Sequence, residues 1–173
     1  GEDRVLLEPV GKNKLVIIND GFVHLNTTHW KGAGVAIPVF SLRSNKSAGV
    51  GEFADIKLLV DWANKVGLKL IQILPINDTT ATHTWMDSYP YAAISAFALH
   101  PMFIRLNLVA NKEQQALLKP YADTIAELNA MAEIDYDGVM SLKWEVLRLL
   151  YSKNGKTDLA TKVFSEFFEN NKD

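Results

Sequence analysis

The 173-residue sequence contains no cysteine, which excludes disulfides, a thiolate nucleophile and every cysteine-based metal site. It also lacks an excess of charge of one sign: Lys plus Arg number 18 against 20 for Asp plus Glu, a formal net charge of −2. There is thus no basic surplus of the kind that draws nucleic acid or an anionic membrane, and neither is expected as a partner. No apolar run approaches the ~20 residues that a membrane-spanning helix needs. The four histidines, His24, His29, His83 and His100, are scattered. None has the i, i+4 helical spacing of a zinc site, so no metal is expected. A phosphate-binding loop is missing too. Residues 47–53, SAGVGEF, stand between strand-like and helix-like segments but carry neither a Lys-Ser/Thr pair nor G-x-G-x-x-G. There are no repeats and no low-complexity segments.

What is present reads as an ordinary soluble domain. At 48% hydrophobic and 22% charged residues, the chain is too apolar and too evenly charged for disorder. Its length suffices to bury roughly 70% of the unfolded surface. No signal-peptide pattern opens it, and a cytoplasmic location is the expectation, although Gly1 in place of an initiator Met reads as a processing boundary rather than a native start.

Residues 4–19 hold two β-rich runs around Gly11, Lys12, Asn13 and Lys14, which spells a hairpin. Residues 34–40, GVAIPVF, form an almost unbroken apolar run. Such a run predicts a strand covered on both faces as in parallel sheets, with Pro38 at an edge or bulge. A helix is expected over residues 53–65, with Phe53, Ile56, Leu59, Val60, Ala63 and Val66 on one face and Gly67 just past its end. Residues 68–74 supply a second strand, completing a βαβ unit within about forty residues. Residues 92–99 fit a helix or a strand equally, and residues 102–106 look like a short strand. From residue 111 the pattern turns helical. Pro120 is expected to open a helix carrying Ile125, Leu128 and Met131. Residues 136–153 carry two adjacent apolar rows that predict deep burial. Gly155 is expected to separate them from a last stripe in residues 157–170: Leu159, Ala160, Val163, Phe164, Phe167 and Phe168.

Function in such folds sits outside the carboxyl ends of strands, which directs attention to residues 75–91. Trp85, Tyr89 and Tyr91 crowd there with Asp87, Ser88 and Pro90. Sugars are held by this mixture, flat apolar faces against ring C–H groups and donors and acceptors for hydroxyls, and proline lowers the cost of ordering the loop. Chemistry alone leaves a second reading equally open, that these aromatics fill a small core beneath the loop. Glycosidic chemistry needs two carboxylates ~5–10 Å apart. Glu52, Asp78 and Asp87 are the carboxylates near strand ends, and each is as well explained by turn formation or helix-start electrostatics.

Three segments in order, GVAIPVFSLRS (residues 34–44), GVGEFADIKLLVDWANKVGLKLIQILPIND (49–78) and DSYPYAAISAFALHPMFI (87–104), together resemble the amylomaltases. These are 4-α-glucanotransferases among the α-amylase-like glycoside hydrolases, and the segments resemble the disproportionating-enzyme-2 type in particular. The resemblance covers about residues 19–104 strongly and the helical third more loosely. It implies an α/β fold: the first βαβ unit of a (β/α)₈ TIM barrel, with a helical insertion subdomain and an N-terminal β-hairpin. Residues 1–30 would be the tail of an upstream β-rich, starch-binding-like module and a linker, 31–110 the start of the barrel, and 111–173 the helical insertion.

The same resemblance implies cofactor-independent transfer of glucosyl or maltosyl units between α-1,4-glucans, through a covalent glucosyl-enzyme. A (β/α)₈ barrel takes ~250 residues, so the chain is expected to be an N-terminal part, inactive alone, with the catalytic carboxylates beyond residue 173. Tyr91 matches the family's glucan-contacting Tyr of an S-P-Y segment, here Y-P-Y with Tyr89 in the Ser position. Trp85, Asp87 and Ser88 fall in the same motif region. The expected partner is a maltooligosaccharide or longer α-glucan, with self-association through exposed sheet edges. The rival readings are a non-catalytic glucan-binding or structural module derived from such an enzyme, and a small α/β regulatory domain with an unrelated ligand.

Overall fold

Strand β1 (Gly34–Ile37) and strand β2 (Leu70–Ile73) pair in parallel, with Gly34 opposite Leu70 and Ile37 opposite Ile73. The computed structural model describes residues 31–172; the hairpin expected over residues 4–19, and the rest of segment 1–30, lie outside them. The chain divides into units Gly1–Ala33 and Gly34–Asp173, and the second is described here by itself.

β1 stops earlier than its apolar run. Pro38 has no N–H for a ladder, and its carbonyl instead accepts from Ser41 N at 3.2 Å and Ser41 Oγ at 2.8 Å, turning residues Val39–Ser41 into a 3₁₀ turn. The expected cover on both strand faces is not found among the described residues. Exposure alternates along both strands, and Leu70 and Gln72 face outward. A continuous apolar run shows that two faces could be buried, not that both are.

Helix α1 (Phe53–Lys65) forms where its spacing places it. Asp55 in its first turn accepts from Glu52 N at 2.8 Å, and its charge suits the positive end of the helix dipole. At the other end Gly67 takes φ +79, and Leu68 N reaches back to Ala63 O at 2.9 Å, a glycine-terminated stop. The face divides: Ala63 is buried and Phe53 and Ile56 pack on the core, whereas Val60 and Val66 are about half exposed, as are Leu58 and Trp62.

After the loop, residues 92–99 are neither helix nor regular strand. They run back along residues 76–78 as a strap: Asn77 and Leu99 form an antiparallel bridge, Asp78 N donates to Ala98 O at 2.8 Å, and His100 N donates to Ile76 O at 2.9 Å. The strand expected at 102–106 is a 3₁₀ turn, Pro101–Phe103. His100 Nδ1 accepts from Met102 N at 3.1 Å, and Pro101 is pre-set for a first helical position; cap and proline outweigh the β preference of Phe103 and Ile104.

The helical portion comprises α2 (Leu106–Val109), a 3₁₀ run (Gln114–Tyr121), α3 (Ala122–Ala130), α4 (Tyr136–Leu159) and α5 (Lys162–Asn171). Pro120 lies inside the 3₁₀ run rather than opening α3. Gly155 does not break the chain. It lies buried within α4 under the Tyr151 ring, where a Cβ would stand 2.4 Å from a ring carbon. The break comes at Thr161, whose Oγ1 accepts from Phe164 N at 3.2 Å. The last stripe is largely open, with Val163, Phe167 and Phe168 exposed. α4 carries much of the core: Val139, Met140, Leu142, Val146 and Leu150 pack with Val39, Val50, Met102, Phe103 and Leu106. Residues 34–110 and 111–172 thus share one apolar interior, in which each buried aliphatic side chain stabilises by about 1.5–3 kcal/mol.

A buried ion cluster fastens these parts. Glu52 Oε2 accepts from Arg105 Nε at 2.6 Å, and its other oxygen accepts from Lys143 Nζ, which also donates to Ile104 O. Asp55 Oδ1 accepts from Arg105 Nη2 at 2.5 Å and from Ser44 Oγ at 2.6 Å; its Oδ2 accepts from Ser47 Oγ at 2.9 Å. Burial pulls the Lys143 ammonium below its ordinary value, against the attraction of Glu52. Burial opposes the Arg105 charge as well, but the hydrogen bonds to Asp55 and Glu52 outweigh it and raise its value. Two cations and two anions balance, tying the β1–α1 loop to Arg105 and to α4.

Candidate functional site

The segment that leaves β2 is folded around one carboxylate. Asp87 is almost fully buried, yet its oxygens accept from Thr82 N at 3.0 Å each, from Thr82 Oγ1 at 3.0 Å and from His83 N at 2.7 Å. Burial pushes its acidity toward a higher value, and the bonds from Thr82, His83 and Ala81 outweigh that, holding it below its ordinary 3.8. The cost is local strain, since His83 takes φ 58, a left-handed conformation uncommon outside glycine. Two further bonds close the loop. Thr79 Oγ1 donates to Asp87 O at 2.5 Å, and Thr80 N donates to Asp78 Oδ1 at 2.9 Å. Thr84 then caps a 3₁₀ turn, Trp85–Ser88.

With Asp87 satisfied from within, the loop turns its rings outward. Trp85, Tyr89 and Tyr91 are 66%, 61% and 59% exposed, and the two tyrosine rings lie 5.5 Å apart at 51°. The small-core alternative does not hold for these side chains, because a ring that fills a core is not three-fifths exposed. Trp85 and Ser88 also line a groove of about 460 Å³ whose far wall is Ile134, Asp135, Tyr136 and Asp137 at the start of α4. Tyr89 and Tyr91 pair with each other instead. Of the sequence-chosen set, then, three rings are presented, Ser88 sits at a groove, and Asp87 is turned inward as the loop's anchor.

Glu52 is sealed in the ion cluster, and Asp78 Oδ1 closes its own turn. Among the described residues no group of three or more His, Asp or Glu is placed to hold a metal ion. No helix among them is long and apolar enough to cross a membrane.

Sequence reasoning missed two side chains beneath the loop. His100, 3% exposed, and Tyr136 meet through Nε2 and Oη at 3.1 Å. Burial lowers the His100 value against the pull of Asp78 and Asp87. Burial raises the Tyr136 phenol to about 12, with Asp87 and Asp78 adding to it. The one local signal was His100 directly before Pro101, a cap position; nothing in the sequence joins it to residue 136.

Fold and loop define an α/β protein with an aromatic platform at the carboxyl end of a parallel strand. A family model for 4-alpha-glucanotransferases matches residues 37–173. The 4-alpha-glucanotransferase DPE2 of Oryza sativa subsp. japonica is 38% identical over 164 residues, covering 93% of this chain and 17% of that protein. The 4-alpha-glucanotransferase of Chlamydia pneumoniae is 36% identical over 137 residues, 79% of this chain and 25% of its own. That of Haemophilus influenzae is 26% identical over 149 residues, 79% and 21% respectively. The chain belongs to the 4-alpha-glucanotransferase family. It spans between 17% and 25% of the length of these three relatives.

Proposed function

We propose that this chain supplies glucan contacts to a 4-α-glucanotransferase that moves glucosyl or maltosyl units between α-1,4-glucans by a retaining mechanism. Trp85, Tyr89 and Tyr91 form the sugar platform, Ser88 offers a hydroxyl at its edge, and Asp87 holds the loop that presents them. The observation that carries this reading is the pairing of family membership with three open rings on a loop locked from within. Rings already held in place lose little freedom on binding, and their faces suit sugar C–H surfaces.

The bond-breaking carboxylates lie outside the chain. Retaining chemistry needs a nucleophile and an acid/base about 5–5.5 Å apart and free to act. Glu52, Asp55, Asp78 and Asp87 are each engaged in structural hydrogen bonds. Among the described residues, the half-covered face of α1 and the two-stranded sheet present apolar surface and unpaired strand edges, which favour association with another chain. The test is chromatographic. Incubated with maltose and glycogen, the 173 residues alone release no glucose, whereas a protein carrying the full family length does. Maltose turnover by the 173 residues would overturn the placement of the acids.

A further inference from the structure

Beneath the aromatic loop, the hydrogen bonds of His100 and Tyr136 run in one direction only. Because His100 Nδ1 accepts from Met102 N at 3.1 Å, it carries no proton. The neutral ring is therefore protonated on Nε2, which donates to Tyr136 Oη at 3.1 Å. Tyr136 and Thr79 line one small cavity with His100 and Asp87, and the Thr79 hydroxyl donates to Asp87 O at 2.5 Å. From α4's first turn, Tyr136 and its partner His100 thus stand against Thr79 and Asp87, the residues that anchor the loop. The ring has little freedom to turn. It stands edge-on to Tyr136 at 6.1 Å and 88°, and to Phe103 at 5.8 Å and 64°. The groups facing it are the carboxylates of Asp78 and Asp87 from the loop and the phenol of Tyr136 from α4.

A proton added to Nδ1 would meet the Met102 N–H, donor against donor. It would remove the cap of the Pro101–Phe103 turn and place a cation among Phe103 and Tyr136. The ring would then be drawn toward Asp78 and Asp87, the residues on which the loop is folded.

We propose that His100 and Tyr136 are positioning residues of the glucan loop: neutral His100, bonded to the Tyr136 hydroxyl in the cavity both share with Thr79 and Asp87, holds the form that presents Trp85, Tyr89 and Tyr91, so glucan binding follows the protonation of His100. This rests on the glucan reading given above. His100→Asn separates cap from relay, since the shorter amide oxygen can still accept from Met102 N but does not reach Tyr136 and does not titrate. Tyr136→Phe keeps the packed ring and removes the hydroxyl.

The experiment follows two signals on the whole chain from pH 7.5 to 4.5: the indole N–H resonance of Trp85, and the Kd for maltoheptaose by calorimetry. In the unaltered chain both move together, with a midpoint below the ordinary histidine value of about 6.5, and Kd rises at least about fivefold, close to 1 kcal/mol. His100→Asn is flat in both signals across that interval and binds about fivefold more weakly at pH 7.5. Tyr136→Phe shows the same weakening at pH 7.5. If His100→Asn keeps the pH profile of the unaltered chain, or Tyr136→Phe binds as tightly as it, the proposal is overturned. If the Trp85 resonance follows His100 but maltoheptaose does not bind at any pH, loop positioning stands and the glucan reading fails.

Discussion

Lys143→Met tests the buried cluster with little change in packing. Methionine keeps most of the unbranched stem and removes only the ammonium. The side chain it replaces is fully buried, donating to Glu52 and to the Ile104 carbonyl. Without it, the balanced set of Glu52, Asp55, Arg105 and Lys143 becomes a net anion, and Glu52 Oε1 has no cation beside it. A pair of unit charges at 4 Å is worth about 4 kcal/mol at the effective dielectric of a protein interior near its surface. Relief from burying the ammonium offsets part of that. Removing one partner of a buried pair costs about 3–5 kcal/mol in measured cases, a large share of the ~5–15 kcal/mol that holds a domain together. For a domain of this size the melting temperature should fall by about 6–20 °C.

The assay is urea unfolding followed by circular dichroism at pH 7, with the unfolding slope checked for constancy. Combining Lys143→Met with Glu52→Gln should cost less than the two single changes added together, by about 1–3 kcal/mol, because the second change removes the charge that the first leaves with only Arg105, which Asp55 shares. A loss below about 1 kcal/mol for Lys143→Met, or strict additivity in the double variant, would refute this account of the cluster.

Three further outcomes are expected. Asp87 has a depressed value when folded, so its contribution is complete above the unfolded carboxylate value of about 3.9 and is lost as pH falls through the lower, folded one. The Thr82 and His83 amide resonances should report that titration with a midpoint below 3.8, and a midpoint at or above it counts against the anchoring role. Gly51→Ala places a Cβ 1.9 Å from the Val39 carbonyl oxygen and 2.6 Å from Leu42 N. Overpacking of that kind costs about 1–3 kcal/mol or more, and an unchanged melting temperature would contradict it. Light scattering should show concentration-dependent association, reduced by Leu58→Lys with Trp62→Glu on the open face of α1; a monomer at every concentration argues against that face and the strand edges as contact surfaces.

The parts legible in the sequence were those whose cause is local. Helix α1 declared itself through 3.6-residue spacing and Gly67 after its end. The two strands declared themselves as short apolar runs around it. Misreadings came where tertiary contact overrode a local signal. Gly155 reads as punctuation but serves close packing under Tyr151. The β-prone residues 102–104 were folded into a turn by a cap at His100 and by Pro101. The three rings were visible as a sugar-like composition, but only their exposure separates a platform from a small core. Asp87 was picked out without its role, because a carboxylate that binds a ligand and one that binds its own backbone look alike in one dimension. Tyr136, separated from His100 by 36 positions, carried no signal at all.

Calorimetric titration of maltoheptaose into the unaltered chain and into Tyr91→Ala addresses the sugar platform most directly. Loss of the ring that pairs with Tyr89 at 5.5 Å should raise Kd about tenfold, near 1.4 kcal/mol, with the melting temperature unchanged because the ring is mostly exposed. Equal affinity in the two proteins would contradict the claim that this loop holds glucan.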